Sequence, residues 1–267
     1  MADHFSEYPL KHFAGIASDC MNIPLPEQYA PSVSWVSRIL KAKLSGTADR
    51  AVLYHADAVG AYMWQKYTDL FVPVYKHTSL ALPFVSTVPS VTPVAHASMY
   101  TGLDPAGHGI QSYTRPQLAC DTWFDVLIRA GLKPCILAMN DSTFLHIFTG
   151  REMDYFAAAN APEIRRKALE LIGRDEYDVI SIHTFEYDDA AHYYGPESKE
   201  ALNALAAEAE IFGELAEAIE EKWAGRHRTL LPYSPDHGQH PLEGGKGAHG
   251  SEKPEDMNIV HFFGTKR

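Results

Sequence analysis

The sequence predicts an α/β fold in which a mostly parallel central sheet carries helices on both faces. The first observation behind this is alternation. Apolar runs of strand length at 51–56, 134–139, 177–183, 229–233 and 258–263 are interleaved with helix-period segments at 61–71, 93–101, 121–130, 161–173 and 198–223. Strands separated by helices of that length pair in parallel through crossover connections. The second is size, since 267 residues can build one substantial core. The third is composition: 46% hydrophobic and 21% charged residues, with no run approaching the ~18 apolar residues of a membrane span.

In chain order, residues 1–48 have mixed character and read as an N-terminal arm packed on the core. Within them "NIPLPEQYAPSVS" is loop and "SVSWVSRILKAKL" a short amphipathic helix. Residues 49–267 form the main domain. In "VPSVTPVAHASMYTGLDPAGHGI", Pro93 suits the first turn of a helix and Gly102 its left-handed end, so Thr92 reads as the N-cap. A capping threonine accepts a hydrogen bond from the first turn, but the same hydroxyl stands where a helix start favours an anion. Residues 141–160 fit neither period and read as a loop over the sheet.

A formal charge of −11 argues against a nucleic-acid polymer as partner, because affinity for it comes from Lys and Arg on phosphates. Cys20, Cys120 and Cys135 lack the spacing of a disulfide framework or a cysteine zinc site and read as small buried hydrophobes. The opening residues carry acids and histidines where a secretory signal has a basic start and an apolar block, so a cytoplasmic protein without a membrane partner is expected. Fourteen histidines, several beside aspartates, point to metal chemistry.

In parallel sheets, ligands bind beyond the carboxyl ends of the strands. Asp57 follows the strand 51–56 directly. "FEYDDAAHYYGP" follows the strand 177–183 and sets Asp188 and His192 at i and i+4, one face of a helical turn. "SPDHGQ" follows the strand 229–233 with Asp236 and His237, and "GGKGAHGS" supplies His249 in a glycine-rich loop. Each group alone reads as a turn or a solvated pair. Together, three aspartates and three histidines at one sheet edge can hold two metal ions, and such a pair stabilises both the entering and the leaving oxygen of a displacement at phosphorus.

The ordered set Thr92-Pro93, Tyr100-Thr101-Gly102-Leu103, His108-Gly109-Ile110, Asp188-x-x-x-His192 with Gly195-Pro196, Asp236-His237-Gly238 and His249-Gly250 resembles the motifs of the alkaline phosphatase superfamily, nucleotide pyrophosphatase/phosphodiesterase-like branch. The resemblance implies an alkaline phosphatase-like fold and a metal-dependent catalytic domain at 49–267. It also implies two divalent ions, zinc or similar, and hydrolysis of a small-molecule phosphoric ester through a phosphothreonine enzyme. It assigns Asp188, His192 and His249 to one ion, Asp57, Asp236 and His237 to the other, and the nucleophile to Thr92. Where that branch carries an asparagine for a phosphoryl oxygen, this chain has Tyr113, which is taken as substrate-binding. Tyr187 stands where proline is common, and Asp189 rivals Asp188 as ligand. His96 reads as structural, while His55, His183, His240 and Lys246 read as ordinary hydrogen-bonded or surface groups.

A phosphomonoesterase or phosphomutase of the same superfamily is the enzymatic alternative, and a metal-stabilised binding protein the non-enzymatic one. A sulfatase is disfavoured because no Cys-x-Pro-x-Arg segment is present. The absence of Lys and Arg from 77 to 114 favours a diester or pyrophosphate-type substrate over a monoester dianion; the nearest cations in sequence are Lys76 and Arg115, and Arg115 or Lys246 folded back over the phosphate would reverse that preference.

Overall fold

The computed structural model describes residues 6–267. Seven strands form one sheet: β1 (Arg50–Ala56), β2 (Leu80–Val85), β3 (Pro134–Met139), β4 (Asp154–Ala158), β5 (Val179–Thr184), β6 (Thr229–Tyr233) and, after a two-stranded pair β7 (His240–Pro241) and β8 (Gly247–Ala248), the last strand β9 (Asn258–Lys266). The order across the sheet is β2-β9-β6-β1-β5-β3-β4. Strands β6, β1, β5, β3 and β4 run parallel, and β9 is antiparallel to both β6 and β2.

The central strand reads "RAVLYHA" because a parallel strand covered on both faces must be apolar on both. Val52, Tyr54 and Ala56 join the cluster that contains Phe212, Leu215, Ile219 and Trp223 of the helix Lys199–Trp223. On the other face Leu53 shares a cluster with Phe13, Leu40, Val94 and Tyr100, and His55 is held by the Tyr100 hydroxyl at 2.7 Å. The N-terminal segment contributes to that second cluster through the helices Phe13–Met21 and Ser34–Leu44. Its first five residues lie outside the described ones.

Three local expectations are corrected. Residues 141–160 are not a loop: the helix Thr143–Phe148 places Phe144 and Phe148 around Tyr100, and β4 follows as an edge strand on β3. An edge strand buries little, so its apolar period is faint. The segment 61–71 is broken after the helix Ala61–Lys66, and a new helix, Val72–His77, starts with Pro73 in its first turn. Thr92 is not an N-cap. The extended Val91 occupies that place, and no side chain caps the helix Thr92–Thr101, because the Thr92 hydroxyl is directed elsewhere.

That helix is unusual in having every residue buried, and it ends as expected at Gly102, with φ 65°. Strand β2 escapes sequence detection because Pro83 interrupts its pattern, which an edge strand tolerates.

Candidate active site

Three adjacent strands deliver the site. Asp57 follows β1, the helix Glu186–Tyr194 after β5 carries Asp188 and His192, and Asp236 and His237 follow β6. Gly238 comes next and has to be glycine, since a Cβ there would collide with the Glu255 carbonyl oxygen. Its N–H instead donates to the Asp256 carbonyl at 2.8 Å. His249 arrives on the turn after β8.

The structure brings all six proposed ligands together as two triads, Asp188 with His192 and His249, and Asp57 with Asp236 and His237, with ligand atoms in each triad within 4.8 Å of one another. In the first, Asp188 Oδ1 lies 3.4 Å from His192 Nε2 and 3.6 Å from His249 Nε2. In the second, His237 Nε2 lies 3.3 Å from Asp57 Oδ1 and 3.5 Å from Asp236 Oδ2. Asp189, the rival, lines the same cavity but belongs to neither triad.

The histidine tautomers test whether these groups suit a cation. His192 Nδ1 contacts the Gly247 carbonyl at 3.1 Å, His249 Nδ1 the Ser90 carbonyl at 3.0 Å, and His237 Nδ1 the Gly238 carbonyl at 3.0 Å. A carbonyl can only accept, so each Nδ1 carries the proton and each Nε2 presents a lone pair. Those lone pairs face carboxylate oxygens, an arrangement that is repulsive until a cation lies between them. Oδ2 of the fully buried Asp236 has no hydrogen-bond partner. The oxygen and imidazole donors therefore fit divalent metals of the zinc type.

Electrostatics give the same answer. Burial pushes the Asp57 carboxyl up to about 7. Asp188 and Asp236 are raised well above the carboxylate range by burial and then by neighbouring carboxylates, Asp57 first. Burial and then His192 lower His249 to about 4, and burial and then His249 lower His237 well below its ordinary value. The pocket disfavours charge of either sign without a counter-ion, which suits these donors to a buried cation.

Thr92 Oγ1 lies 3.3 Å from Asp57 Oδ2 and 3.3 Å from His237 Nε2, at the floor of a cavity of about 480 Å³. Tyr113 lines that cavity with 56% of its surface exposed, at the rim instead of beside Thr92.

Sequence reasoning missed Gln239, and it named His183 and Arg115 without giving them a part in the site. His183 Nε2 is 3.3 Å from Asp57 Oδ2, with Ser142 Oγ on its Nδ1 at 3.0 Å. The Gln239 amide donates to Asp188 Oδ1 at 2.8 Å. Arg115 lines the cavity. The available signal was position, since His183 ends a strand and Gln239 extends the Asp236-His237 turn. His96 Nε2 stands 3.5 Å from Asp236 Oδ2, and His240 pairs with Asp256 at 2.7 Å.

Comparison with curated proteins gives no match. Several solved structures share the fold. Murine ectonucleotide pyrophosphatase / phosphodiesterase 5 is 14% identical with a TM-score of 0.57, and the match covers 73% of this chain and 58% of that one. The C-terminal periplasmic domain of a phosphoethanolamine transferase from Campylobacter jejuni is 13% identical with a TM-score of 0.62, covering 82% and 80%. Phosphonoacetate hydrolase from Sinorhizobium meliloti is 17% identical with a TM-score of 0.54, covering 72% and 57%. The chain thus spans somewhat over half the length of the murine enzyme. Residues 54–123 and 118–262, most of the chain and all six triad residues, match the family described as type I phosphodiesterase / nucleotide pyrophosphatase. The protein belongs to that family, a branch of the alkaline phosphatase superfamily whose members are metal-dependent phosphoester hydrolases.

Proposed function

We propose that the protein hydrolyses small phosphoric diesters or pyrophosphate-type esters through a covalent intermediate on Thr92. The observation that carries this reading is the Thr92 hydroxyl, buried at the cavity floor within 3.3 Å of both Asp57 and His237. Asp188, His192 and His249 would hold one divalent ion, and Asp57, Asp236 and His237 the other, with zinc the first choice for such donors. Bound there, the pair supplies Lewis acidity toward the phosphoryl oxygens and the Thr92 hydroxyl.

Asp57 Oδ2 orients Thr92 Oγ1 by accepting its hydrogen. Thr92 Oγ1 would release that proton to solvent and attack phosphorus as the bond to the leaving oxygen breaks, the leaving oxygen taking a proton from water, and a second water then cleaves the phosphothreonine ester. The cavity, about 480 Å³, is of a size for a small molecule, and its rim residue Tyr113 offers a ring to the esterified group. An inactive threonine-to-alanine form of the murine enzyme was solved in complex with AMP, which supports a threonine-dependent reaction on a phosphate ester. The three free cysteines support the cytoplasmic location that belongs to this proposal.

The test is elemental analysis of purified protein together with acid quench during turnover of bis(4-nitrophenyl) phosphate. Two divalent ions per chain and a phosphoryl adduct on the Thr92 peptide are expected. Turnover of the ester by Thr92→Ala at the parent rate would overturn the reading.

A further inference from the structure

We propose that Arg115 is a specificity determinant that binds a second anionic group, a carboxylate or a phosphate, carried by the substrate beyond the phosphoryl group attacked by Thr92. The inference rests on the reading of the site given above. Arg115 is the one arginine or lysine among the residues lining the cavity, where the other formal charges belong to Asp57, Asp141, Asp188 and Asp189.

Most other arginines in this acidic chain pair with carboxylates, among them Arg129 with Asp121 at 2.6 Å, Arg151 with Asp125 at 2.8 Å, and Arg50 with Asp178 at 2.8 Å; Arg38 and Arg267 instead bond the Ser34 carbonyl and the Ser45 hydroxyl, away from the cavity. Arg115 has no such partner among the described residues. It is steadied by one hydrogen bond to the Asp141 carbonyl at 3.2 Å and by the Tyr113 ring, whose centroid lies 6.0 Å from the guanidinium carbon. Asp141 adopts φ 59°, a left-handed conformation that costs a non-glycine residue energy. Held at the rim, the guanidinium keeps most of its five N–H donors for an incoming group, in a fork that matches carboxylate or phosphate.

The charge balance explains why such a group would need it. Three ligating carboxylates against two divalent cations leave one positive charge, which a phosphodiester monoanion neutralises. Among the charged side chains of the lining, any further anion on the substrate then meets carboxylates and, as the one cation, Arg115. The stretch from 77 to 114 offers no cation, and the loop that follows it brings one over the site.

The experiment is calorimetric titration of the zinc-loaded protein with ethyl phosphate, 2-carboxyethyl phosphate and 1,2-ethanediol bisphosphate. These share the phosphoryl end and differ in the far group. Wild type is expected to bind at least one of the two doubly substituted ligands about tenfold or more tighter than ethyl phosphate. Whichever of them shows the larger ratio identifies the anion. Arg115→Ala should bring the ratio to about 1, and Arg115→Lys should recover part of it. Equal affinities in wild type, or a ratio that survives Arg115→Ala, would overturn the proposal. Failure of the hydrolytic reading would appear separately, as absence of ester turnover by the loaded wild type, because the affinity ratio does not depend on turnover.

Discussion

The imidazole rings of His237 and His249 stack with centroids 4.2 Å apart and planes at 26°, one ring from each triad. The two ligand centres therefore share a wall, and a change in the charge state of one is felt by the other.

Metal loading is expected to reach two divalent ions per chain, and Asp188→Asn or Asp236→Asn should each reduce it to one, as read by elemental analysis. Chelation should lower the melting temperature, since an ion present at 100 times its Kd stabilises by about 2.7 kcal/mol. The sign should invert in the absence of metal. Chelated Asp188→Asn should melt above chelated wild type, because it removes one carboxyl from a buried cluster of acids.

Thr92→Ala should retain both ions and lose turnover by a factor on the order of 10⁴ or more. No side-chain bond caps this helix, so the ~0.5–2 kcal/mol of a lost N-cap should not appear in denaturant unfolding. A variant with full metal content and ordinary activity would show that the hydroxyl is not the nucleophile.

The metal-free protein should lose stability as pH rises from about 6.5 to 8. Asp57 is raised in the folded state, so its contribution is complete below its unfolded value near 4 and is lost as pH passes about 7. His183 and His249, lowered to about 4, act oppositely, but their slope ends near pH 6.5. Metal affinity should run the other way and weaken about tenfold per pH unit below 7 for each proton displaced. Thermal melts with chelator and metal titrations over the same pH range check both signs.

Glu208 offers a control outside the triads. It is fully buried on the helix Lys199–Trp223, accepts from the Tyr187 N–H at 3.4 Å through one oxygen, and is raised by burial to about 8. Its contribution is complete below its unfolded value near 4.5 and is lost as pH rises through 8. Glu208→Gln mimics the protonated acid, so its stability relative to wild type should rise between pH 6 and 9, measured by urea unfolding.

Gln239→Leu should weaken metal binding at the Asp188 centre by roughly 10–100-fold, read by competition with a chromogenic chelator. The amide that orients Asp188 Oδ1 is lost while the three ligands stay.

The parts of this site legible in the sequence are those that a strand end announces. Asp57, Asp188 and the Asp236-His237 pair each follow a short apolar run, and a residue placed there can be assigned to one sheet edge before any coordinates exist. What Thr92 does was less legible, because a hydroxyl before proline at a helix start is also what a cap looks like. Position in the sequence placed His183, Gln239 and Arg115 near the site but did not give their roles, which depend on contacts with Asp57, Asp188 and the cavity rim, far away in the chain. The edge strands β2 and β4 failed for a different reason: pairing on one side only leaves little apolar pattern to read.

Each triad joins chain segments that are synthesised far apart. Asp57 waits for Asp236 and His237, and Asp188 and His192 wait for His249. A nascent chain extends by roughly 5–20 residues per second, so no complete ligand set exists until the last strands follow from the ribosome. An ion held in either triad would fasten an early segment to a late one, and such clips restrict the unfolded chain more the longer the loop they close. Chains truncated ahead of His249 should remain without the first centre, so metal uptake at the proposed sites would come late in the biogenesis of this enzyme.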